Sequence, residues 1–192
     1  PEESGARAPA RSGGRRPRLE VVSGATGIEG VPPACPLCSG NEVEELAALA
    51  LEKNIAAYFV CSVCDLRFLD PAVRLDPQAE QARYRLHENQ VADPAYREFL
   101  RPAVELIHRE VPSGSTGLDF GAGPGPAAAA MLRELDYQVS LYDRYFHADA
   151  CALERRYEFI LSTETVEHFH EPGREFARFR ALLEPGGILV VM

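Results

Sequence analysis

The fold is decided by a short stretch in the second half of the chain, Leu118-Asp119-Phe120-Gly121-Ala122-Gly123-Pro124-Gly125-Pro126. An acid stands two positions before a turn with the spacing G-x-G-x-G. Such a turn lets a ligand lie against bare backbone at the carboxyl end of a strand. The dinucleotide-binding pattern would need glycine at Pro126, and no phosphate-loop lysine is present. The stretch therefore predicts a ligand without phosphate, against the alternative of a glycine turn that binds nothing.

Strand-like and helix-like segments alternate around this turn. Strands are predicted over residues 116 to 120, 138 to 142, 157 to 162 and 188 to 191, with helices over 126 to 135 and before Leu182. Too few residues separate Asp143 from the third of these strands for a further strand of normal length, so that strand is brief or absent. The alternation predicts an α/β fold, a doubly wound and mainly parallel sheet covered on both faces.

The acid and glycine turn, together with the L-L-x-P-G-G turn ending at Gly187, resemble class I S-adenosylmethionine (SAM) methyltransferases. The resemblance implies a Rossmann-like methyltransferase sheet over residues 113 to 192. It implies that Asp119 serves the α-amino group of SAM, and that Asp143, which ends the second strand, accepts its ribose hydroxyls. An ordinary turn acid is the alternative for Asp143. The implied cofactor-binding set is Asp119, Gly121, Ala122, Gly123, Gly125, Asp143, Arg144, Asp149 and Thr163, in which Asp149 approaches the adenine amine unless it is a surface acid.

Domains of this family continue past the fifth strand with another helix and two strands. The sequence ends at Met192, so the strand over residues 188 to 191 would lie near an open sheet edge. We expect either a missing C-terminal segment or a homodimer to cover that edge.

A second motif, E-x-x-E-H, follows the fourth strand as Glu164, Glu167 and His168. One helical turn would place all three side chains on one face. We expect them to be the catalytic residues, with His168 as the base. The motif resembles that of small-RNA 3′-terminal 2′-O-methyltransferases and of ubiquinone-pathway O-methyltransferases, which implies Mg or Mn at these side chains. Similar Glu-His pairs line the cofactor or substrate pocket in many relatives without a metal, and this is the interpretation that we favour.

Two C-x2-C pairs precede the methyltransferase-like region. Cys35, Cys38, Cys61 and Cys64 can close a tetrahedral four-sulfur shell around zinc, which leaves no position for substrate. We therefore predict a structural zinc ribbon over residues 33 to 70, with redox chemistry as the minor alternative. The fifth cysteine, Cys151, has no nearby partner and is expected to be at least half buried.

The remaining segments flank the ribbon. Residues 1 to 32 are rich in Gly, Pro, Ala, Ser and Arg and are expected to be disordered. Residues 71 to 112 are expected to form a helical linker or lid. It has one helix over residues 77 to 89 and another from Pro94 that Pro102 kinks or splits. Apolar residues recur at helical spacing in the second helix: Tyr96, Phe99, Leu100, Val104 and Ile107.

Composition restricts the function further. The net charge of −9 over 192 residues disfavours generic nucleic-acid binding. No apolar stretch is long enough to span a membrane, and no signal-peptide pattern opens the chain, so a cytoplasmic protein without membrane partners is expected.

The base-methylating motif N/D-P-P-Y/F is absent. We predict a SAM-dependent methyltransferase of a small-molecule acceptor, oxygen favoured over nitrogen. The alternatives are an RNA methyltransferase whose ribbon grips RNA, and a non-catalytic SAM-binding module whose ribbon recruits a partner.

Overall fold

The computed structural model of the protein describes residues 20–21, 32–51, 54–85 and 90–192. The tail expected over residues 1 to 32 lies almost entirely outside the described residues, as does the predicted helix end over residues 86 to 89. Within the described part, each half of the chain builds a separate sheet, and two helices connect them.

The N-terminal sheet is antiparallel, with strands β1 (Glu20–Val21), β2 (Val43–Leu51), β3 (Asn54–Cys61) and β4 (Arg67–Leu69) in sequential order. Its small core consists of Cys35, Val43, Ala57, Phe59, Cys61 and Phe68. The rings of Phe59 and Phe68 pack 5.7 Å apart. Strands β3 and β4 lie on either side of the turn made by the second C-x2-C pair. We call residues 32–69 the cysteine module.

The connecting helices are α1 (Pro77–Tyr84) and α2 (Pro94–Glu110). Each begins with an aspartate cap followed by proline: Asp76 accepts from the N–H groups of Gln78 and Ala79, and Asp93 from that of Ala95, each at 2.9 Å. Of the kink or split expected at Pro102, the split does not occur, because α2 is one continuous helix across Pro102. Pro102 lies on the exposed face, where water can satisfy the carbonyl that loses its N–H partner.

The C-terminal sheet is parallel, with the strand order β6-β5-β7-β8. Its elements are β5 (Thr116–Phe120), α3 (Ala127–Glu134), β6 (Gln138–Tyr142), β7 (Tyr157–Ser162), α4 (Pro172–Leu182) and β8 (Leu183–Val191). The absence of a strand between β6 and β7 is confirmed, since a single bridge between Asp143 and His147 and a short 3-10 turn at Ala150–Leu153 occupy that interval. Strand β8 begins five residues earlier than predicted and takes in Gly186 at φ +84°.

Helices cover both faces of this sheet, as a doubly wound fold requires. On one face α2 and α3 pack through Leu100, Val104, Ile107 and Leu132. On the other face α4 packs through Phe179 and Leu182 against Leu118 and Phe120. No helix of the described residues is long and apolar enough to cross a membrane.

Candidate functional site

A cavity of about 610 Å³ opens at the carboxyl edge of the parallel sheet. One side is formed by the glycine turn, residues 121–125, and the ends of β5 and β6. The other side is formed by α1, the segment after β7 and the start of α4. Ligands of open α/β sheets bind at this edge, so the fold places the cavity where a cofactor is expected.

The glycine turn needs glycine for conformational and steric reasons. Gly121 and Gly123 have φ values of +82° and +61°, which other residues rarely adopt. A Cβ on Gly121 would stand 2.3 Å from Thr165 Oγ1. The N–H of Gly121 donates to Tyr142 O at 2.8 Å, which joins the turn to the end of β6. The turn therefore presents backbone, and no large side chain, to the cavity.

Asp119 lies at the carboxyl end of β5 beneath this turn and is only 2% exposed. Burial raises the pKa of its carboxyl group to about 7, although the backbone N–H of Ala129 and the charge of Arg133 lower it, and Asp143 adds a small increase. A cationic group in the cavity would restore the ionised form.

Asp143 follows β6, the strand directly beside β5, in a register that pairs Asp119 with Leu141. Its Oδ2 accepts the Gly123 N–H at 3.0 Å, and its Oδ1 accepts the N–H groups of Tyr145 at 2.8 Å and Phe146 at 3.1 Å. The carboxylate thus holds the glycine turn against the loop after β6. Both acids line the same cavity, at neighbouring strand ends.

The other predicted cofactor-binding residues differ in whether they line the cavity. Ala122, Gly125, Arg144 and Thr163 line the cavity. Asp149 does not. Its Oδ1 instead accepts the Cys151 N–H at 3.0 Å and caps the 3-10 turn after the β6 loop. Cys151 itself is exposed, so the expectation of a buried or half-buried side chain is wrong.

The E-x-x-E-H side chains do not converge as expected. Glu164 adopts φ +50°, and only the three-residue 3-10 turn Val166–His168 follows it, so the segment is not a regular helical turn. Glu164 and His168 line the cavity, whereas Glu167 does not and lies 3.8 Å from His168 Nε2. Within the ranges that the structure describes, these three side chains do not form a group able to hold a metal ion. The Mg or Mn site stays a prediction that this arrangement does not support.

Sequence reasoning missed Glu80, a carboxylate of α1 that lines the cavity with its side chain 12% exposed. Its Oε2 accepts from Tyr145 Oη at 2.6 Å and its Oε1 from Tyr84 Oη at 3.4 Å. His170 Nε2 and Arg144 Nη1 lie 3.8 and 3.9 Å from its oxygens. In the sequence Glu80 looks like an ordinary acid in the first turn of a helix, so no local signal identifies it.

The four cysteines of the two C-x2-C pairs meet as predicted, with all Sγ atoms within 4.8 Å of one another. The Sγ atoms of Cys35 and Cys64, and those of Cys38 and Cys61, are 3.6 Å apart. A tetrahedron with Zn–S bonds of about 2.3 Å has edges of about 3.8 Å, so the spacing fits zinc.

The two C-x2-C turns also share one backbone geometry. Ser39 N–H donates to Cys35 O and Asp65 N–H to Cys61 O, each at 2.9 Å. Ser39 and Asp65, the residues that follow each pair, both have positive φ, at 61° and 58°. The repeated geometry aims two thiols from each turn at a common centre.

Comparisons with known proteins identify the family. The chain belongs to the methyltransferase-domain family, whose model matches residues 91–192. No curated protein matches the chain.

Solved structures of methyltransferases are similar to parts of it. The glycopeptide N-methyltransferase MtfA complexed with sinefungin has 19% identity and a TM-score of 0.32, covering 47% of this chain and 51% of that one. A SAM-dependent methyltransferase from Geobacter sulfurreducens, in complex with S-adenosyl-L-homocysteine, has 16% identity and a TM-score of 0.35, covering 60% and 55%. The chain thus spans little more than half of these relatives, and the family assignment rests on the family model.

Proposed function

We propose that the protein is a SAM-dependent methyltransferase that acts in the cytoplasm on a small-molecule acceptor, with a hydroxyl oxygen favoured over nitrogen. The observation that carries the proposal is the pair of acids, Asp119 and Asp143, on either side of a bare glycine turn in an open cavity. Membership of the methyltransferase-domain family supports it. Two pairs of closely spaced thiols suit the reducing cytoplasm.

The cavity fits SAM by the chemistry of its donors. The α-ammonium group would interact with the buried Asp119 carboxylate, directly or through water. Its positive charge would offset the burial that raises the pKa of Asp119 to about 7. The bare glycine turn admits the nucleoside close to backbone. When bound, SAM supplies an electrophilic methyl group on its sulfonium, and this chain's residues align the acceptor with it.

Asp143 has room for part of the ribose. A carboxylate offers roughly four acceptor positions, two on each oxygen. Oδ1 already takes two N–H groups and Oδ2 takes one, so a single position on Oδ2 remains. We infer that Asp143 accepts one ribose hydroxyl without rearrangement, and that accepting both requires one N–H of the β6 loop to move.

The acceptor would occupy the side of the cavity opposite the glycine turn. We define the acceptor-side wall by its residues on the segment after β7 and on α4: His168, His170, Arg174, Glu175 and Arg178. His168 is half exposed there and meets the Tyr84 ring edge-on at 5.6 Å. We assign to His168 the role of the base that removes a proton from a hydroxyl acceptor. Methyl transfer requires the protein to align the acceptor and to remove this proton. Glu80 orients Tyr145 beside this wall.

The four thiolates suit a structural zinc ion. Four protein ligands saturate a tetrahedral zinc, so no position is open for substrate or water. We therefore assign the cysteine module no chemical step in methyl transfer.

Calorimetric titration with S-adenosylhomocysteine tests the proposal. The wild-type protein should bind it, and Asp143→Ala should weaken binding about tenfold or more, because both the ribose acceptor and the support of the glycine turn are lost. The matched control is Asp149→Ala, an acid of the same loop outside the cavity, which should bind nearly as wild type. A folded, zinc-loaded wild-type sample that binds neither SAM nor S-adenosylhomocysteine would overturn the proposal. RNA binding that weakens steeply with salt would favour the RNA alternative.

A further inference from the structure

The cysteine module contacts the start of α4. The contact comes from its first turn, where Pro36 and Leu37 lie between two of the cysteines. Pro36 O accepts the backbone N–H of Gly173 at 3.2 Å. A Cβ on Gly173 would stand 2.3 Å from Leu37 O, so glycine is what allows the two backbones to approach so closely.

This contact completes the cap of α4. The first turn of a helix has N–H groups without partners inside the helix. In α4, Pro172 has no N–H, while Arg174 and Glu175 donate to Glu171 O at 3.0 and 3.1 Å. The side chain of the cap residue Glu171 accepts no capping hydrogen bond. The remaining donor, Gly173 N–H, is satisfied by the carbonyl oxygen of Pro36 from the cysteine module.

A second hydrogen bond holds the same segment three residues earlier. Arg74, which follows the module, donates from Nη1 to His170 O at 2.9 Å. The backbone leading into α4 is thus fixed at residues 170 and 173 by groups from the N-terminal part of the chain. The acceptor-side wall lies immediately around these two points.

We propose that the cysteine module, together with Arg74 in the segment that follows it, is a positioning element for the acceptor-side wall. Its metal-held turn places Pro36 O to cap α4, and so fixes where His170, Arg174 and Glu175 face the cavity. That this wall binds the methyl acceptor rests on the proposed function. The hydrogen bond that caps α4 does not depend on it. Loss of the metal should therefore loosen a helix that supplies no metal ligand.

Gly173→Ala tests the contact by the sign of its effect. Alanine favours a helix over glycine, and the φ of Gly173 is not in the left-handed region. If α4 were free of the module, the substitution would stabilise the helix and slow amide exchange. If the contact is as described, the new methyl group collides with Leu37 O and the cap is lost.

The experiment is hydrogen exchange by mass spectrometry on zinc-loaded protein, with zinc content and S-adenosylhomocysteine binding measured on the same samples. We expect Gly173→Ala to keep its zinc and to exchange the amides of residues 173 to 176 about tenfold faster than wild type. The control Arg180→Ala, exposed on α4 and outside the cavity, should leave those amides unchanged. Unchanged or slower exchange in Gly173→Ala would overturn the proposal.

A second variant covers the case in which Gly173→Ala does not fold. Arg74→Ala removes the tie to His170 O without adding atoms and should speed exchange around residue 170. If exchange there stays at the wild-type rate, the positioning role fails. If exchange responds as expected while the wild-type protein binds no S-adenosylhomocysteine, the proposed function fails and the positioning role stands.

Discussion

At the scale of single residues, the two aspartates that line the cavity differ in burial and in hydrogen bonding. Asp143 is saturated by backbone N–H groups on one oxygen and half used on the other. Asp119 is buried with a pKa raised to about 7. Asp143 therefore supports the glycine turn and keeps one free acceptor position, whereas Asp119 is a buried acid whose ionised form a cationic ligand would favour.

Asp119 makes ligand binding depend on pH. The ionised form, which pairs with an α-ammonium group, predominates only above about pH 7. We expect the affinity of the wild-type protein for S-adenosylhomocysteine to fall as pH drops from about 8 to about 6, with proton release on binding. Asp119→Asn should bind more weakly at pH 8 and lack this part of the pH dependence. Calorimetry in buffers of different ionisation enthalpy measures both quantities.

The same carboxyl group should affect stability in the opposite direction. Its pKa in the folded protein lies above its ordinary value of 3.8, so its stabilising contribution is fully present below about pH 4 and is lost as pH rises through about 7. Without ligand, wild type should therefore lose stability relative to Asp119→Asn between these pH values. Parallel thermal melting curves of the two proteins across this range would contradict the buried-acid description.

At the scale of elements, α2 has two roles on two faces. Leu100 is fully buried against the parallel sheet, while its neighbour Phe99 is 48% exposed and lines the cavity. Leu100→Ala should lower the free energy of unfolding by about 2–5 kcal/mol, because it leaves a cavity in the core. Phe99→Ala should have a much smaller effect on unfolding and should act on ligand affinity.

Denaturant unfolding of the two α2 variants, together with calorimetry, separates the roles. The pair is matched because both substitutions remove a large apolar side chain from the middle of the same helix. Equal losses of stability in Leu100→Ala and Phe99→Ala would show that the two faces are not distinguished as described.

At the scale of the whole molecule, the cysteine module depends on its metal. Among the residues whose side chains the structure describes, its core is small, and it includes two of the four clustered cysteines, Cys35 and Cys61. We expect one zinc per chain by elemental analysis. The Cys35→Ser, Cys38→Ser double variant should lose it, with unfolding of the module and faster exchange in α4.

Cys151→Ser is the control for this metal experiment. Cys151 is exposed and lies outside the four-sulfur group, so its loss should leave the zinc content and the thermal midpoint unchanged. Loss of zinc in Cys151→Ser, or retention of zinc in the double variant, would contradict the assignment of the ligands.

Much of the fold and part of the candidate site could be predicted because the deciding signals are local. Gly121 and Gly123 are needed for their own positive φ, and each C-x2-C turn aims its thiols by its own backbone. The shortness of the interval between Asp143 and β7 likewise predicted that a further strand there is brief or absent before any tertiary contact was considered. Adjacent parallel strands then bring Asp119 and Asp143 to one edge.

Only the tertiary structure decided the features that join distant segments. Glu80 of α1 accepts a hydrogen bond from Tyr145, which lies 65 residues further along the chain. Pro36 O caps a helix that begins far along the chain. Each of these depends on how α1, the cysteine module and α4 pack around the sheet, and packing is set by the whole set of buried contacts. Residue type and spacing specify what a segment can do locally, whereas its partners across the chain are chosen by the fold.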